Sequence, residues 1–308
     1  VQLLTVNGNI SAVASTDALN LAPGDKIEFE ESQDQNLIIK QVLPRKNEIA
    51  RAYLEEKRVL ATNLDHLFLV NSIIPHFQTE WIDRVLAVAA IQHVPTSLVV
   101  NKSDLGLQPI RNLIDIYRSL GVSIIETSAI FGDGIDQLER VLETRHLEIV
   151  SFIGPSGVGK SSLVNALVPN AKRKIGDISE KDGRGKQTTA QAQAFIYHPQ
   201  VRERSLLVID LPGVQRFGIH HLNQEQIKNS FFEISSFASH CQFRDCLHLN
   251  EVGCSVKVAV EQQSISATRY LSYLKMIEEI KMLPEWKLKS VVKEKVKGSK
   301  KLRAERFR

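Results

Sequence analysis

Hydrophobic positions change their rhythm along the chain. Up to residue 47 they come in short runs: Gln2-Leu3-Leu4-Thr5-Val6, Lys26-Ile27-Glu28-Phe29 and Leu37-Ile38-Ile39-Lys40-Gln41-Val42-Leu43. Turn-forming residues punctuate them at Asn7-Gly8-Asn9 and Pro23-Gly24-Asp25. Short strands at close spacing predict a small barrel or sandwich. An OB-type β-barrel is one option, but these strands are too few to close five, so we expect it to be incomplete.

Pro44-Arg45-Lys46-Asn47 marks a boundary, after which strands alternate with helices. His66 to Asn71, Ser97 to Val100, Val122 to Ile125, Leu147 to Ile153 and Ser205 to Ile209 read as strands. Glu80 to Ala89, Ile110 to Leu120, Ile135 to Leu142 and the segment opening at Ser161 show helical spacing of apolar residues. This alternation predicts a parallel sheet with helices on both faces, binding its ligand at the carboxyl ends of the strands. Further on, Val256 to Gln262 and Ser264 to Met282 read as helices, the second closed by Pro284. Tyr270 and Tyr273, three residues apart, read as core contacts. The expected organisation is an N-terminal β-barrel over 1–47, a central α/β domain over 48–219, and a helical C-terminal domain over 220–308.

The strand Leu147 to Ile153 runs into Gly154-Pro155-Ser156-Gly157-Val158-Gly159-Lys160-Ser161, a complete phosphate-binding loop with Ser162 beside it. Its glycines let successive N–H groups turn around an anion, and the helix N-terminus adds partial positive charge. Lys160 can reach β- and γ-phosphates, and the Ser161 hydroxyl can ligate Mg²⁺. This context separates the motif from a glycine-rich turn without a ligand. It implies a nucleoside triphosphate but not its base.

The base is read from two other loops. Asn101-Lys102-Ser103-Asp104 follows one strand, and Thr127-Ser128-Ala129 follows another. Guanine offers two donors that a carboxylate accepts together, a task that suits Asp104. Asn101 can tie the loop and face N7, the Lys102 stem can cover the base, and the Ala129 N–H can donate to O6. An isolated N-K-x-D tetrapeptide is an ordinary exposed turn; the companion loops give it meaning.

Past the phosphate loop, Lys172 to Thr189 is polar and ends in Gly183-Arg184-Gly185-Lys186-Gln187-Thr188-Thr189. Such a loop can cover phosphates, with Thr189, or its neighbour Thr188, completing the Mg²⁺ shell and sensing the γ-phosphate. Asp210-Leu211-Pro212-Gly213 ends a strand; Asp210 suits outer-shell Mg²⁺ binding, and the Gly213 N–H can contact the γ-phosphate. Val214 comes next, where many small GTPases place the Gln that orients water. An apolar side chain cannot do that, so slow intrinsic hydrolysis is expected, with the missing group supplied by another loop or a partner. The catalytic set is therefore Lys160, Ser161, Thr188, Thr189 and Gly213.

All three cysteines lie within one stretch, Cys241-x₄-Cys246-x-His248-x₅-Cys254. Three thiolates and one imidazole match a tetrahedral structural Zn²⁺, with no position left open for catalysis. An odd, clustered set also argues against a disulfide framework. His240 reads as a surface residue.

Charge adds a further feature. From Trp286 to Arg308 there are ten Lys/Arg against two Glu, a net +8 in a chain whose total is +4. A basic end on a body of −4 suggests a polyanionic partner, although charge runs are often simply solvated. Apolar content of 43% and charged content of 24% are ordinary for a globular protein. No run of eighteen apolar residues predicts a membrane span.

The order of motifs is inverted. In ordinary GTPases the phosphate loop comes first and N-K-x-D late, whereas here Asn101–Asp104 precedes Gly154–Ser161. With Arg45 and its neighbours after a β-region, Asp210-Leu211-Pro212-Gly213-Val214, and the Cys₃His cluster, the chain resembles the RsgA (YjeQ) family of circularly permuted GTPases. The likeness spans nearly the whole chain. It implies an OB fold, a GTPase core and a zinc domain, binding GTP or GDP with Mg²⁺ and one Zn²⁺. It also implies late maturation of the small ribosomal subunit, stimulation by that subunit, and contact with its rRNA. The family's G-R-H-T-T is Gly185-Lys186-Gln187-Thr188-Thr189 here, so a role for that His does not transfer. The other reading is an RNA-binding scaffold that holds guanine nucleotide and barely turns it over. We expect a monomer. The chain starts at Val1 without Met, which fits a processed or truncated product, so the expected compartment is bacterial cytoplasm, chloroplast or mitochondrion.

Overall fold

Strands buried on both faces of a sheet carry continuous apolar runs rather than alternating ones. Three such strands form the centre of this protein: β7 (His66–Ser72), β8 (Thr96–Asn101) and β10 (Ile149–Ile153), each buried along nearly its whole length. In the computed structural model, which describes residues 2–5, 8–14, 21–31, 37–53, 56–144, 146–168, 192–200 and 204–282, they lie in a six-stranded sheet. With β9 (Ser123–Thr127), β11 (Gln193–Tyr197) and β12 (Leu206–Asp210), its order is β11-β12-β10-β7-β8-β9. All neighbours run parallel except β11, which pairs antiparallel with β12. The edge strands β9 and β11 show interrupted burial, as expected where one side of the ladder is unpaired.

Parallel register puts the carboxyl ends of β7, β8, β9, β10 and β12 on one side. Ile153 lies opposite Leu69, Asn71 opposite Val100, Asn101 opposite Thr127, and Phe152 opposite Asp210. Helices α1 (Thr79–Ile91), α2 (Arg111–Ser119), α3 (Ile135–Leu142) and α4 (Lys160–Leu167) connect the strands. Beneath α3 and α4, Phe68, Phe152, Leu138, Leu142, Leu163 and Val208 belong to one buried cluster, with Phe68 and Phe152 stacked at 4.6 Å between centroids. Each such side chain contributes about 1.5–3 kcal/mol on leaving water.

The N-terminal region is a separate four-stranded sheet of order β1-β2-β4-β3, with β1 (Gln2–Thr5), β2 (Gly8–Ala14), β3 (Ile27–Glu31) and β4 (Leu37–Val42). The boundary residues bolt into the neighbouring backbone. Arg45 makes a two-pronged pair with Asp25 at 2.7 and 2.8 Å, and the Asn47 amide exchanges two hydrogen bonds of 2.8 Å with the Leu64 backbone. Four strands were not anticipated from the apolar pattern: β2, the antiparallel edge strand β11, and the two-stranded sheet of β5 (Glu48–Tyr53) and β6 (Glu56–Thr62). The first half of β6, Glu56-Lys57-Arg58, is exposed and charged, so only its ladder identifies it as a strand.

Two compact units emerge from packing. The first is 1–50, 59–78 and 88–216; the second is 51–58, 79–87 and 217–308. In the second, α5 (Gln224–Ser230), α6 (Phe232–Ala238), α7 (Ser255–Glu261) and α8 (Ala267–Lys281) are, among the described residues, the helices after residue 217. Asn223 opens α5 with a full capping box, its side chain accepting from Gln226 N at 2.8 Å while Gln226 accepts from Asn223 N at 2.9 Å. Arg269 on α8 is 4% exposed; it donates to Asp83 at 2.7 Å and Glu233 at 2.8 Å and lies 4.3 Å over the Phe231 ring. Among the described residues no helix is long and apolar enough to cross a membrane.

Removing one partner from a buried ion pair strands the others at a cost of about 3–5 kcal/mol. Arg269→Met should therefore destabilise the second unit by that order, read as a lowered urea midpoint by circular dichroism. An unchanged midpoint would mean that the guanidinium adds nothing net.

Candidate functional site

Five loops emerge at the carboxyl side of the central sheet, and a single amide joins three of them. Asn101, at the end of β8, is 2% exposed. Its Nδ2 donates to Val158 O in the phosphate loop at 2.9 Å. Its Oδ1 accepts from Ala129 N and from Thr127 Oγ1, both at 3.2 Å. The approach is close: a Cβ on Gly159 (φ +92°) would lie 2.2 Å from Asn101 Nδ2, so that position admits neither a side chain nor an ordinary backbone.

Lys102 holds the next layer. Its Nζ donates to Gly157 O at 2.7 Å and Ile74 O at 3.0 Å, drawing its stem across the phosphate loop. Asp104 is exposed, and one of its oxygens accepts from Ser128 Oγ at 2.6 Å, which fixes the carboxylate's orientation. Ser128 itself is fully buried; its N–H donates to Asp133 O at 3.0 Å, and its carbonyl accepts from Gly132 N at 2.8 Å. The two loops are thus one bonded assembly presenting a carboxylate.

In the phosphate loop, Gly154 and Pro155 receive Lys160 Nζ at 3.0 and 2.9 Å. Pro155 and Val158 are buried, Ser156 and Gly159 half-buried, and Gly157 and Ser162 exposed. Burial pulls the Lys160 ammonium down to about 8, against the pull of Asp210. Ser161 Oγ donates to Asp210 Oδ2 at 2.6 Å. Burial pushes the Asp210 carboxyl above its ordinary value, opposed by the Ser161 hydrogen bond and the Lys160 charge. The other oxygen, Oδ1, is buried and lacks a partner among the described residues. A hydroxyl and an unsatisfied carboxylate oxygen side by side suit a hard divalent cation.

The Asp210 loop rests on the phosphate loop. Val214 N donates to Gly154 O at 3.1 Å, and a Cβ on Gly213 would meet Ser156 Cα at 2.9 Å. Val214 is 1% exposed, so its side chain packs in the core rather than lining a phosphate pocket. Gln187, Thr188, Thr189 and the basic segment from Trp286 lie outside the described residues.

In the second unit, ligand atoms of Cys241, Cys246, His248 and Cys254 all lie within 4.8 Å of one another. His248 Nδ1 is 3.6 Å from Cys241 Sγ and 3.5 Å from Cys254 Sγ. A tetrahedral Zn²⁺ with ordinary Zn–S and Zn–N lengths has an S–N edge of about 3.5 Å, so the donors fit that ion. Burial, assisted by the Lys228 charge, lowers the imidazole to about 4, leaving its lone pair free at neutral pH. His240 is exposed and bonded to Ser239, outside the cluster.

Lys160 gives a pH prediction. Phosphate binding favours its charged form, so its pKa rises when GTP binds. Affinity is then full below pH about 8 and falls above it, by at most roughly tenfold per unit. Fluorescent-nucleotide titrations below the range where guanine itself ionises would read this. A flat profile between pH 7 and 9 would contradict the buried-lysine account.

Comparison with known proteins gives a consistent picture. The family model for RsgA GTPase matches residues 42–220. The small ribosomal subunit biogenesis GTPase RsgA of Haemophilus influenzae (strain ATCC 51907 / DSM 11121 / KW20 / Rd) is 36% identical over 271 residues, 85% of this chain and 76% of that one. The protein of the same name from Borrelia garinii subsp. bavariensis is 34% identical over 278 residues, covering 89% and 87%. Among solved structures, YjeQ from Thermotoga maritima superposes with a TM-score of 0.68 at 31% identity, covering 91% and 93%. YloQ, described as a circularly permuted GTPase, shares the fold with a TM-score of 0.62 at 24% identity, covering 91% and 90%. With the phosphate loop following the N-K-x-D strand in sequence yet lying beside its loop in space, and with a family model matching more than half of the chain, this protein belongs to the RsgA family of GTPases.

Proposed function

We propose that this GTPase acts in late maturation of the small ribosomal subunit, hydrolysing GTP slowly alone and faster on that subunit. The observation that carries the reading is the single assembly of Asn101, Asp104 and Ser128 with the phosphate loop, set against a Val214 that is buried and apolar. A site complete for binding and lacking a water-orienting side chain at that position depends on something else for turnover. The names of the Haemophilus and Borrelia relatives supply the partner.

In this reading Asp104 accepts both guanine donors, and the Ala129 N–H, shared with Asn101, serves O6. The N–H groups of Gly154 to Ser162 cradle phosphates, and Lys160 leaves its loop carbonyls for the β- and γ-oxygens. Ser161 and Thr189 or Thr188 would hold Mg²⁺ directly and Asp210 through its outer shell, and the ion would supply charge neutralisation at the phosphates. The Gly213 N–H reports the γ-phosphate. Cys241, Cys246, His248 and Cys254 hold one structural Zn²⁺. The division 1–47, 48–219 and 220–308 assigns RNA contact to the outer parts, with the +8 segment after Trp286 as electrostatic anchor to rRNA. The protein works as a monomer, and its bacterial relatives favour the cytoplasm.

Turnover at saturating GTP, with and without purified small subunits, tests the proposal. A rise of tenfold or more, about 1.4 kcal/mol off the barrier, supports a partner-completed site. A rate indifferent to the subunit overturns it, and turnover that is negligible in both cases favours the nucleotide-holding scaffold. Guanine recognition is tested separately. Asp104→Asn should weaken GTP binding by at least tenfold and improve binding of xanthosine triphosphate, measured by calorimetry; unchanged GTP affinity would remove Asp104 from base recognition.

A further inference from the structure

Three consecutive carbonyls in the turn that carries Cys246 and His248 each receive a side-chain donor from outside the turn. Lys228 Nζ, on α5, donates to Cys246 O at 3.0 Å. Tyr273 Oη, on α8, donates to Leu247 O at 3.0 Å, and Tyr270 Oη to His248 O at 2.5 Å. The N–H groups of the same turn are gathered by Glu251, whose two oxygens accept from Leu247 at 2.9 Å and Leu249 at 2.7 Å. His248 is held at φ +61°, a left-handed conformation that a residue with a Cβ adopts only under constraint. The turn's shape therefore depends on its anchors as much as on its own sequence.

We propose that Lys228, Tyr270 and Tyr273 are positioning residues of the metal centre, forming an outer layer that keeps the Cys246–Glu251 turn in ligand geometry. The inference rests on reading the Cys₃His cluster as a metal site. Three thiolates around a divalent ion leave a net charge of −1, and the Lys228 ammonium on the Cys246 carbonyl offsets it. The tyrosines stand three apart on one face of α8, so the helix reaches two adjacent carbonyls at once. Outer-layer partners of metal ligands are commonly worth 10- to 100-fold in metal affinity.

The test uses the full chain loaded with zinc, and tracks metal release to an excess of a chromogenic chelator. Lys228→Met and Tyr273→Phe should each release zinc about tenfold faster than the parent. Lys228→Arg, which keeps the charge and a donor, should stay within about threefold of it. Cobalt-loaded samples of both weakened variants should retain the parent's thiolate charge-transfer bands and its visible d–d bands, showing that the thiolates and the tetrahedral geometry are kept. Release rates equal to the parent in variants with parental circular dichroism would overturn the proposal.

A merely structural role is separated by urea unfolding. The proposal expects a larger loss of stability in the metal-loaded form than in the metal-free form, and equal losses would refute it even where a variant folds poorly. A parent chain that takes up no stoichiometric zinc or cobalt would instead defeat the metal reading itself.

Discussion

The nucleotide site depends on one buried amide. Asn101 can reach the phosphate loop and the Ser128-Ala129 loop together only because β8 lies in parallel register with β7 and β9, and β7 with β10. The ladder sets where the loops begin, and the amide sets how they meet. A buried hydrogen bond contributes modestly when made and costs about 1–3 kcal/mol when a partner is left unsatisfied. With three partners on one side chain, the geometry is enforced mainly by that asymmetry. Gly159 is required by the same constraint, because Asn101 occupies the space where its Cβ would stand.

The permuted order of motifs is tolerated for the same reason. A parallel sheet specifies which strands are neighbours, and the chain may visit them in any sequence that its connections allow. Here β8 and β9 come first and β10 with its phosphate loop later, yet the loops converge on one side. The order of visits does change which element comes after each loop. The segment after Gly213 leads along the chain to Asn223 and α5.

Charge is handled differently in the two units. Around the phosphate loop, Lys160 and Asp210 are buried, and burial lowers the pKa of the first and raises that of the second, favouring the neutral form of each. In the second unit Arg269 is buried against two carboxylates and an aromatic ring, its charge paired within that unit. The first pattern suits ligand binding and the second suits structural cohesion, although both involve ionised groups away from water.

Much of the chemistry was legible before the fold. The phosphate loop, Asn101–Asp104 and the Cys₃His set are short motifs whose residues act close to where they stand in sequence, and the long apolar runs of β7, β8 and β10 announced a sheet buried on both faces. Helical periodicity likewise located α7 and α8. Tertiary structure alone decided the rest. The charged half of β6 and the short α5 and α6 carry little periodic signal, and pairing or packing identifies them. Asp83 and Arg269 are 186 residues apart, and no local pattern links them. Tyr270 and Tyr273 read as core residues because their spacing is that of a buried helix face; only the fold shows their hydroxyls on the metal-bearing turn. The division has one physical cause. Backbone and side-chain preferences act over a few residues and are written locally, whereas hydrogen bonds and ion pairs between distant segments exist only once the chain has brought them together.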